Sequence, residues 1–360
     1  MIPIVKPYLP SISKYQAYLD GIYQRNWLTN SGPLLKELEQ RLADYLGVKH
    51  LMLVANGTLA LQVAYRALGL ESGEVVTTPF TFAATPGSLV WQNLSPRFAD
   101  ISPDSLNITA QSIAQRITKN TVAIAPVHVY GNPCDVEGIA KLATQHGLKV
   151  IYDAAHAFGC QYKGESLLNH GDAATLSLHA TKIFHCVEGG AIIFKDEAAL
   201  IKARQLINFG FDSHNMPEYI GINAKMSEFH AAMGLAMLDD IDNIAVHRRQ
   251  VMAQYYQQLS NVVQFQSWSS DSENNGAYAP VLFSTEAELL KVQQCLTDNG
   301  VQSRRYFYPD LSQCAIYTDQ VITPVSSDIS RRVLCLPMYY GLTEEDINKV
   351  CDLIKQGLVT

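Results

Sequence analysis

Between about residues 50 and 200, short apolar runs alternate with amphipathic runs of helical spacing. Apolar runs of this length are typical of buried strands, and they are HLMLVA (50–55), EVVTTP (74–79), TVAIAPVHV (121–129) and LKVIYDAA (148–155). Helices are predicted at TLALQVAYRALGL, which ends near Gly69, and at VEGIAKLATQHG, for which Gly147 is a suitable C-cap. This alternation predicts an α/β fold with a large, mixed or mostly parallel sheet between layers of helices.

Two more apolar strands are predicted in LSLHATKIFHCVEGGAIIF, residues 176–194. The connection between them carries Lys182, and a Gly-Gly pair opens the second strand. A lysine normally keeps its charge in water, so a lysine placed between two buried strands needs an explanation.

The pattern changes after about residue 240, where MLDDIDNIAVHRRQVMAQYYQQL (237–259) predicts one long helix. The segments that follow predict a smaller α+β domain, and they are AYAPVLF, EAELLKVQQCLTDNG, VQSRRYFYP and TEEDINKVCDLIKQGL. The second and the last of these have helical spacing. We therefore divide the chain into a large domain, residues 1–240, and a small C-terminal domain, residues 241–360.

Composition narrows the classes of function. The 360 residues are 48% hydrophobic and 17% charged, which is ordinary for a soluble globular protein of enzyme size. The net charge of −7 offers no basic surface, so neither nucleic acid nor an anionic membrane is expected as a partner. The N-terminal residues lack a signal-peptide core, and no run of about 18 apolar residues predicts a membrane span.

Seven cysteines are scattered along the chain without a CxxC pair. An odd number in this arrangement predicts neither a disulfide framework nor a metal site, and it fits a reducing cytoplasm. Cys186 is close to Lys182 in the sequence, but a small buried residue is its simpler interpretation.

Candidate residues fall where strands end, which is where ligands bind on parallel α/β sheets. Residues 56–58, Asn-Gly-Thr, join a strand to a helix, so free amides and the helix dipole favour an anion there. An ordinary turn with an N-cap would look the same. Asp153 closes a buried strand and needs a positive or hydrogen-bonding partner, or else it caps a following helix. His156 comes three residues later and, taken alone, would be a structural histidine.

Lys182, preceded by Ser177, completes the set. A lysine in a desolvated pocket can form a Schiff base with an aldehyde, and a snorkelling lysine is the alternative. The order of the groups favours the first interpretation. An anion cradle, a strand-end aspartate and a lysine 29 residues later are expected, in this order, of a pyridoxal phosphate site. They would hold the phosphate, the ring nitrogen and the aldehyde carbon.

Further motifs extend along nearly the whole chain, and they are WLTNSGP, NGT, TTPFTFAAT, HVYGNPCD, YDAAHAFG, SLHATK, EGGAI, GINAKMSE and CLPMYYGLTEEDI. In this order they resemble the sugar-nucleotide aminotransferases of the DegT/DnrJ/EryC1/StrS family, which are fold type I pyridoxal phosphate enzymes. DAAHAFG and HATK followed by EGG are the most specific of them. The resemblance implies the fold type I architecture for this chain.

The resemblance also implies a role for each candidate residue at the cofactor. Lys182 would form the Schiff base and move protons, and Asp153 would pair with the pyridine nitrogen. Phe82 would stack on the ring face, and His156, where many relatives have glutamine, would face the 3-hydroxyl. The phosphate would be held by Gly57, Thr58 and Ser177.

A homodimer with shared sites is implied as well, in which Asn223 reaches the phosphate bound by the neighbouring subunit. The 27–32 and 304–308 stretches are expected to line an open cleft. Substrate contacts are predicted for Trp27, Thr29, Lys225, Tyr306 and Tyr308. Many relatives have arginine where this chain has Lys225, so no role in binding a substrate carboxylate is assigned to it.

The implied reaction is transfer of an amino group from L-glutamate to a nucleotide-linked keto sugar. The motifs look most like those of enzymes that convert dTDP-4-keto-6-deoxyglucose to dTDP-4-amino-4,6-dideoxyglucose for bacterial surface polysaccharides such as O-antigen. Amination at carbon 3 of the isomeric keto sugar is the nearest alternative. Other classes are a sugar 3-dehydratase, which has histidine in place of the lysine, and a non-catalytic regulator. An NAD-dependent oxidoreductase is disfavoured because no GxGxxG follows a strand.

Overall fold

The computed structural model describes residues 1–317 and 321–359. Its strands, in chain order, are β1 (His50–Val54), β2 (Gly73–Thr77), β3 (Leu94–Phe98), β4 (Thr121–Ala125), β5 (Lys149–Asp153), β6 (Gln161–Tyr162), β7 (Glu165–Ser166), β8 (Ala173–Ser177), β9 (Gly190–Phe194), β10 (Gln264–Phe265), β11 (Ala279–Leu282) and β12 (Val333–Leu336). Its helices are α1 (Ile12–Arg25), α2 (Pro33–Leu46), α3 (Gly57–Ala67), α4 (Ala84–Trp91), α5 (Ala110–Ala114), α6 (Val136–His146), α7 (Glu197–Leu206), α8 (Glu228–Leu238), α9 (Ile241–Leu259), α10 (Glu286–Asp298), α11 (Pro324–Arg332) and α12 (Glu344–Val359).

Within the described residues, seven strands form one sheet in the order β1-β9-β8-β5-β4-β2-β3. The five strands β3, β2, β4, β5 and β8 run parallel to one another, whereas β9 lies antiparallel to both β8 and β1. The predicted α/β fold with a mixed, mostly parallel sheet is therefore confirmed.

Helices cover both faces of this sheet. Successive residues of a strand point to opposite sides, so a strand that is apolar throughout has two apolar faces to bury. Leu51 and Leu53 of β1 pack in the core with α2, α6 and α8. Met52 and Val54 pack in the core with α3, α4 and α7. A parallel sheet buried on both faces has continuous apolar strands, which is the pattern seen in the sequence.

Two helix ends have the predicted form. The side chain of Asn56 accepts a hydrogen bond from the N–H of Leu59, so α3 begins directly after β1. Gly147 ends α6 in a left-handed conformation, with φ of 67°, and its N–H donates to the last turn of the helix. The first of these ends places a helix N-terminus at the carboxyl edge of the sheet.

The single helix predicted over residues 237–259 is wrong at its start. α8 ends before Asp239, α9 begins after Asp240, and these two residues separate the helices. Arg41 donates to the carboxylate of Asp239 at 2.7 Å. Lys14 donates to that of Asp240 at 2.5 Å. Partners distant in the sequence thus fix a break that the continuous helical spacing does not reveal.

The C-terminal part contains a sheet in the order β10-β11-β12, packed on α10 and α12. The predicted segment AYAPVLF contains β11, whereas VQSRRYFYP makes isolated bridges at Val301 and Arg304. Ile2 packs in the same cluster and pairs with Val301. The domain division after residue 240 stays a prediction. No described helix is long and apolar enough to cross a membrane.

Candidate active site

A cavity of about 350 Å³ opens beyond the carboxyl ends of β1, β2, β4, β5 and β8. These ends lie along one edge of the sheet, as expected for a ligand site on an α/β fold. Eight residues predicted for the site line the cavity: Gly57, Thr58, Phe82, Asp153, His156, Ser177, Lys182 and Tyr306.

The start of α3 comes unusually close to the end of β8. A Cβ built on Gly57 would lie 3.0 Å from the Cβ of Ser177, so a side chain at this position would push the two segments apart. The first turn of a helix has amides without partners inside the helix, and the helix dipole favours negative charge there. Thr58 and Ser177 add hydroxyls. The predicted phosphate cradle is thus brought together.

Asp153 closes β5 and is 6% exposed. Its Oδ2 accepts a hydrogen bond from the Thr85 hydroxyl at 2.7 Å, and its Oδ1 accepts one from the N–H of Ala155 at 3.1 Å. Burial raises the pKa of Asp153, while these bonds and the charge of Lys182 act in the opposite direction. The residues that follow form turns, so Asp153 does not cap a helix. A carboxylate buried here favours a cationic partner in the cavity.

Two buried threonines orient this carboxylate. The Oγ1 atoms of Thr81 and Thr85 lie 2.7 Å apart. Because Thr85 gives its single hydroxyl hydrogen to Asp153, Thr81 must donate to Thr85. The result is a short chain of donors that ends on Asp153 and restrains its rotation.

His156 is buried, and its Nδ1 accepts a hydrogen bond from the N–H of Tyr130 at 3.1 Å. Tyr130 has φ of 59°, a conformation that residues other than glycine seldom adopt. Burial, together with the charge of Lys182, lowers the pKa of His156. The ring is therefore neutral and carries its proton on Nε2. This atom can donate to an oxygen such as the predicted 3-hydroxyl.

Lys182 lies on the connection between β8 and β9. Its N–H donates to the carbonyl of His179 at 2.9 Å, and the N–H of Ala180 donates across the loop to Val187 at 2.8 Å. The amine of Lys182 donates to the hydroxyl of Tyr278 at 3.1 Å inside the cavity. The snorkelling alternative therefore does not hold, since the amine is directed to the site.

The mouth of the cavity presents an aromatic ring and a cation. Phe82 is 59% exposed, although a phenylalanine favours burial. The guanidinium of Arg304 lies 4.7 Å from the ring centroid of Tyr306. In the described part of the chain, no carboxylate lies within ion-pair distance of Arg304. Both side chains are thus available to a ligand.

Comparison with known proteins identifies the family. A model of the DegT/DnrJ/EryC1/StrS aminotransferase family matches residues 11–355. The chain belongs to this family. The resemblance found in the sequence motifs is confirmed, and so is the prediction of an enzyme of the aminotransferase class.

Individual family members match over nearly their whole length. The dTDP-4-amino-4,6-dideoxy-D-glucose transaminase of Escherichia coli is 38% identical over 364 residues, which cover 98% of each chain. The GDP-perosamine synthase of Vibrio cholerae is 29% identical and covers 99% of this chain and 98% of the relative. The crystal structure of DesI in the presence of its TDP-sugar product has 35% identity and a TM-score of 0.93, over 99% of this chain and 93% of that one. The aminotransferase fold predicted from the motifs is confirmed.

Enzymes of the DegT/DnrJ/EryC1/StrS family use pyridoxal phosphate, and the site has a group for each part of that molecule. The start of α3 with Ser177 suits a phosphate. The buried carboxylate of Asp153 suits a protonated ring nitrogen, and the amine of Lys182 suits an aldehyde. The residues of this family member therefore fit the cofactor.

Some predicted site residues lie outside this cavity in their own chain, and they are Trp27, Thr29, Asn223, Lys225 and Tyr308. The indole of Trp27 donates to the carbonyl of Thr29 at 2.6 Å within a local turn. Tyr308 packs against the guanidinium of Arg305, whose carbon lies 3.4 Å from the ring centroid. Roles for these residues stay predictions, and that of Asn223 concerns the neighbouring subunit.

The site also contains residues that were not predicted, among them Thr81, Thr85 and Tyr278. Thr85 lies in the motif TTPFTFAAT, which marks the segment but not the one hydroxyl that reaches Asp153. Tyr278 lies 96 residues after Lys182, and no local pattern connects them. Only the fold brings such pairs together.

Proposed function

We propose that this chain is a pyridoxal phosphate-dependent aminotransferase that transfers the amino group of L-glutamate to carbon 4 of dTDP-4-keto-6-deoxy-D-glucose. The product would be dTDP-4-amino-4,6-dideoxy-D-glucose, the sugar in the name of the Escherichia coli relative. The observation that carries the proposal is the meeting of Asp153, Lys182 and the start of α3 in one cavity.

Pyridoxal phosphate bound at this site would supply an aldehyde that carries the amino group and a ring that accepts electrons from the reacting carbon. The residues that would hold it are Gly57, Thr58, Phe82, Asp153, His156 and Ser177. Asp153 would keep a proton on the ring nitrogen, because its carboxylate is held by Thr85 and Lys182 is the one cation of the described residues that acts on it. Neutral His156 would donate from Nε2 to the 3-hydroxyl oxygen of the ring.

Lys182 moves the proton in both halves of the reaction. Its amine would take a proton from the reacting carbon of glutamate in the first half and would deliver a proton to the reacting carbon of the sugar in the second. Glutamate and the keto sugar would use the same base and the same cavity in turn. Ping-pong kinetics should follow.

Arg304 is proposed to attract the anionic parts of both substrates. Replacing it with methionine should raise KM for the sugar nucleotide about tenfold and leave kcat nearly unchanged, because a charge-assisted contact is lost away from the reacting carbon. The KM of the parent enzyme should rise with salt, and that of the variant should respond less. Steady-state kinetics at two ionic strengths check this.

The matched control is Arg331→Met, which removes an exposed guanidinium on α11 outside the cavity. It should leave both constants unchanged. An Arg304→Met enzyme with the KM and salt response of the parent would remove Arg304 from substrate binding.

We propose further that the working unit is a homodimer whose sites are shared. Asn223 is exposed and follows a segment with exposed apolar side chains, among them Met216 at 63% and Ile220 at 91%. Exposed apolar residues close together in a soluble protein are typical of an interface. Lys225, beside Asn223, donates to Asn208 at 3.2 Å and so stays with its own chain in this structure.

Mixing two inactive variants tests this sharing. Lys182→Ala and Asn223→Ala chains, coexpressed in equal amounts, should regain about a quarter of the parent activity, since random pairing gives one intact site in half of the dimers. Each variant alone is the control. A mixture no more active than the mean of the two separate preparations would argue against a shared site.

The substrate is tested by supplying L-glutamate and a panel of 3-keto and 4-keto nucleotide sugars, with mass spectrometry and NMR of the product. The expected product has its amine on carbon 4, and 2-oxoglutarate is released. A product with its amine on carbon 3, or turnover only with another nucleotide, would overturn the proposed substrate. It would leave the proposed aminotransferase activity standing. Loss of water without gain of an amine would indicate a dehydratase.

The reaction is proposed to take place in the cytoplasm, as the scattered cysteines suggest. The amino sugar would then be available to the assembly of a surface polysaccharide such as O-antigen. Labelling of that polysaccharide in cells that make the active enzyme, but not the Lys182→Ala variant, would support this use.

A further inference from the structure

Tyr278 contacts the catalytic lysine but has no role in the account above. Its hydroxyl accepts a hydrogen bond from the amine of Lys182 at 3.1 Å. Its ring lies 4.5 Å from that of His156, between centroids. It is the last residue before β11, so it comes to the site from the C-terminal part of the chain.

A buried arginine holds the segment that leads to this tyrosine. Arg248 of α9 is 4% exposed and donates to the carbonyls of Gly276 at 2.8 Å and Ala277 at 2.9 Å. Burial lowers the pKa of Arg248 to about 10. Within the described ranges, no carboxylate lies at ion-pair distance from it. A buried charge without a counterion costs stability, so its two carbonyl contacts need an explanation beyond packing.

The same segment is held from the side of the large sheet. The side-chain amide of Asn275 donates to the carbonyl of His156 at 2.9 Å and to that of Phe158 at 3.1 Å. Gly276 has φ of +66°, and a Cβ there would lie 2.8 Å from the backbone of Arg248. Residues 275–278 are therefore fixed between α9 and the cofactor-facing loop.

We propose that Arg248 and Asn275 hold Tyr278 as a positioning residue for Lys182. This role rests on the proposed function. Tyr278 would orient the amine of Lys182 while that amine carries a proton. A free lysine side chain has several rotatable bonds, and most of its conformers point away from the reacting carbon. One fixed acceptor restricts the amine to conformers from which transfer can occur.

Tyr278→Phe tests the proposal, since it removes one hydroxyl and keeps the ring contacts. We expect kcat to fall about tenfold, as for the loss of a hydrogen bond to a charged group, with KM for both substrates nearly unchanged. The matched control is Tyr256→Phe, on α9, where the ring packs on Phe265 and is 58% exposed. That variant should keep the parent kcat.

A second measurement needs neither substrates nor cofactor. Acetic anhydride labelling of the full-length, cofactor-free chain, followed by mass spectrometry, reports how freely the Lys182 amine reacts. Without the hydroxyl that holds it, the amine is free to rotate and to meet the reagent, so labelling of Lys182 in Tyr278→Phe should be faster by more than about twofold. Other lysines should label as in the parent. Arg248→Lys replaces two donor nitrogens with one, so it should also make labelling of Lys182 faster.

These measurements distinguish a positioning role of Tyr278 from a purely structural one. Unchanged labelling of Lys182 in Tyr278→Phe overturns the proposal even if kcat falls, because the tyrosine would then act on stability or substrate fit. Unchanged kcat overturns it as well. If the parent enzyme fails to transaminate while the labelling shift is present, the proposed function fails and the contact with Lys182 stands.

Discussion

Replacing Lys182 with alanine should lower turnover by roughly 10⁵- to 10⁶-fold, the scale of loss when a covalent catalyst is removed. The cavity is lined by no other lysine among the described residues. Alanine removes both the group that binds an aldehyde and the group that moves the proton. Measuring 2-oxoglutarate released in a single turnover checks the expected loss.

The controls separate chemistry from folding. Lys291→Ala, an exposed change on α10, should keep the parent activity. Methylamine added to Lys182→Ala should restore part of the turnover, because a small amine can enter the cavity and act as the base. Borohydride should fix the cofactor of the parent on the peptide that contains Lys182. Fixation on another lysine would refute the assignment.

Asp153→Asn should lower turnover by about 10²- to 10³-fold, as when one preorganised electrostatic partner is lost. The fold should tolerate this change. The amide oxygen of asparagine can accept from the N–H of Ala155, and its NH₂ can donate to Thr85. Thr85 can then turn its own hydroxyl hydrogen to Thr81, since their oxygens are 2.7 Å apart. The rate of the glutamate half-reaction, followed by absorbance, checks the result.

The direction in which Asp153→Asn changes thermal stability can also be predicted. Burial raises the pKa of Asp153, so the folded chain holds that proton more tightly than the unfolded chain. The contribution of this group to stability is present below the usual carboxyl pKa and is lost as the pH rises through the raised value. At neutral pH the cofactor-free Asp153→Asn protein should therefore melt at the same temperature as the parent or higher.

Asp172→Asn is the matched control for Asp153→Asn. Asp172 lies just before β8, at the opposite edge of the sheet, and accepts from Lys149 at 2.9 Å and from the N–H of Val150 at 2.8 Å. Its replacement should cost stability and leave turnover unchanged. Parent-like turnover in Asp153→Asn would exclude this carboxylate from catalysis.

The site residues whose place in the cavity follows from the sequence are those whose environment is local in the sequence. Asp153 and Ser177 are the last residues of apolar strands, and parallel strands end at one edge, so their meeting follows from the pattern. β3 was not predicted, since its sequence LSPRF contains a proline and alternates with polar residues. A proline is tolerated there because β3 lies at the edge of the sheet.

Contacts between distant segments could not be predicted. Tyr278 and Arg248 act through a hydroxyl and two carbonyls, which leave no pattern in the sequence. The helix break at residues 239–240 depends on Lys14 and Arg41, from the first two helices. Such features arise from tertiary packing, which overrides local helical spacing.

The antiparallel strand β9 has a consequence for how the enzyme is made. β1 lies at the sheet edge and pairs with β9, so His50 has no strand partner until Phe194 has been synthesised. At about 5–20 residues per second, the apolar β1 stays without a strand partner on the ribosome for on the order of ten seconds. The arrival of β9 then pairs β1 and closes the loop that carries Lys182. An unfinished chain thus exposes an apolar, aggregation-prone strand until β9 has been made.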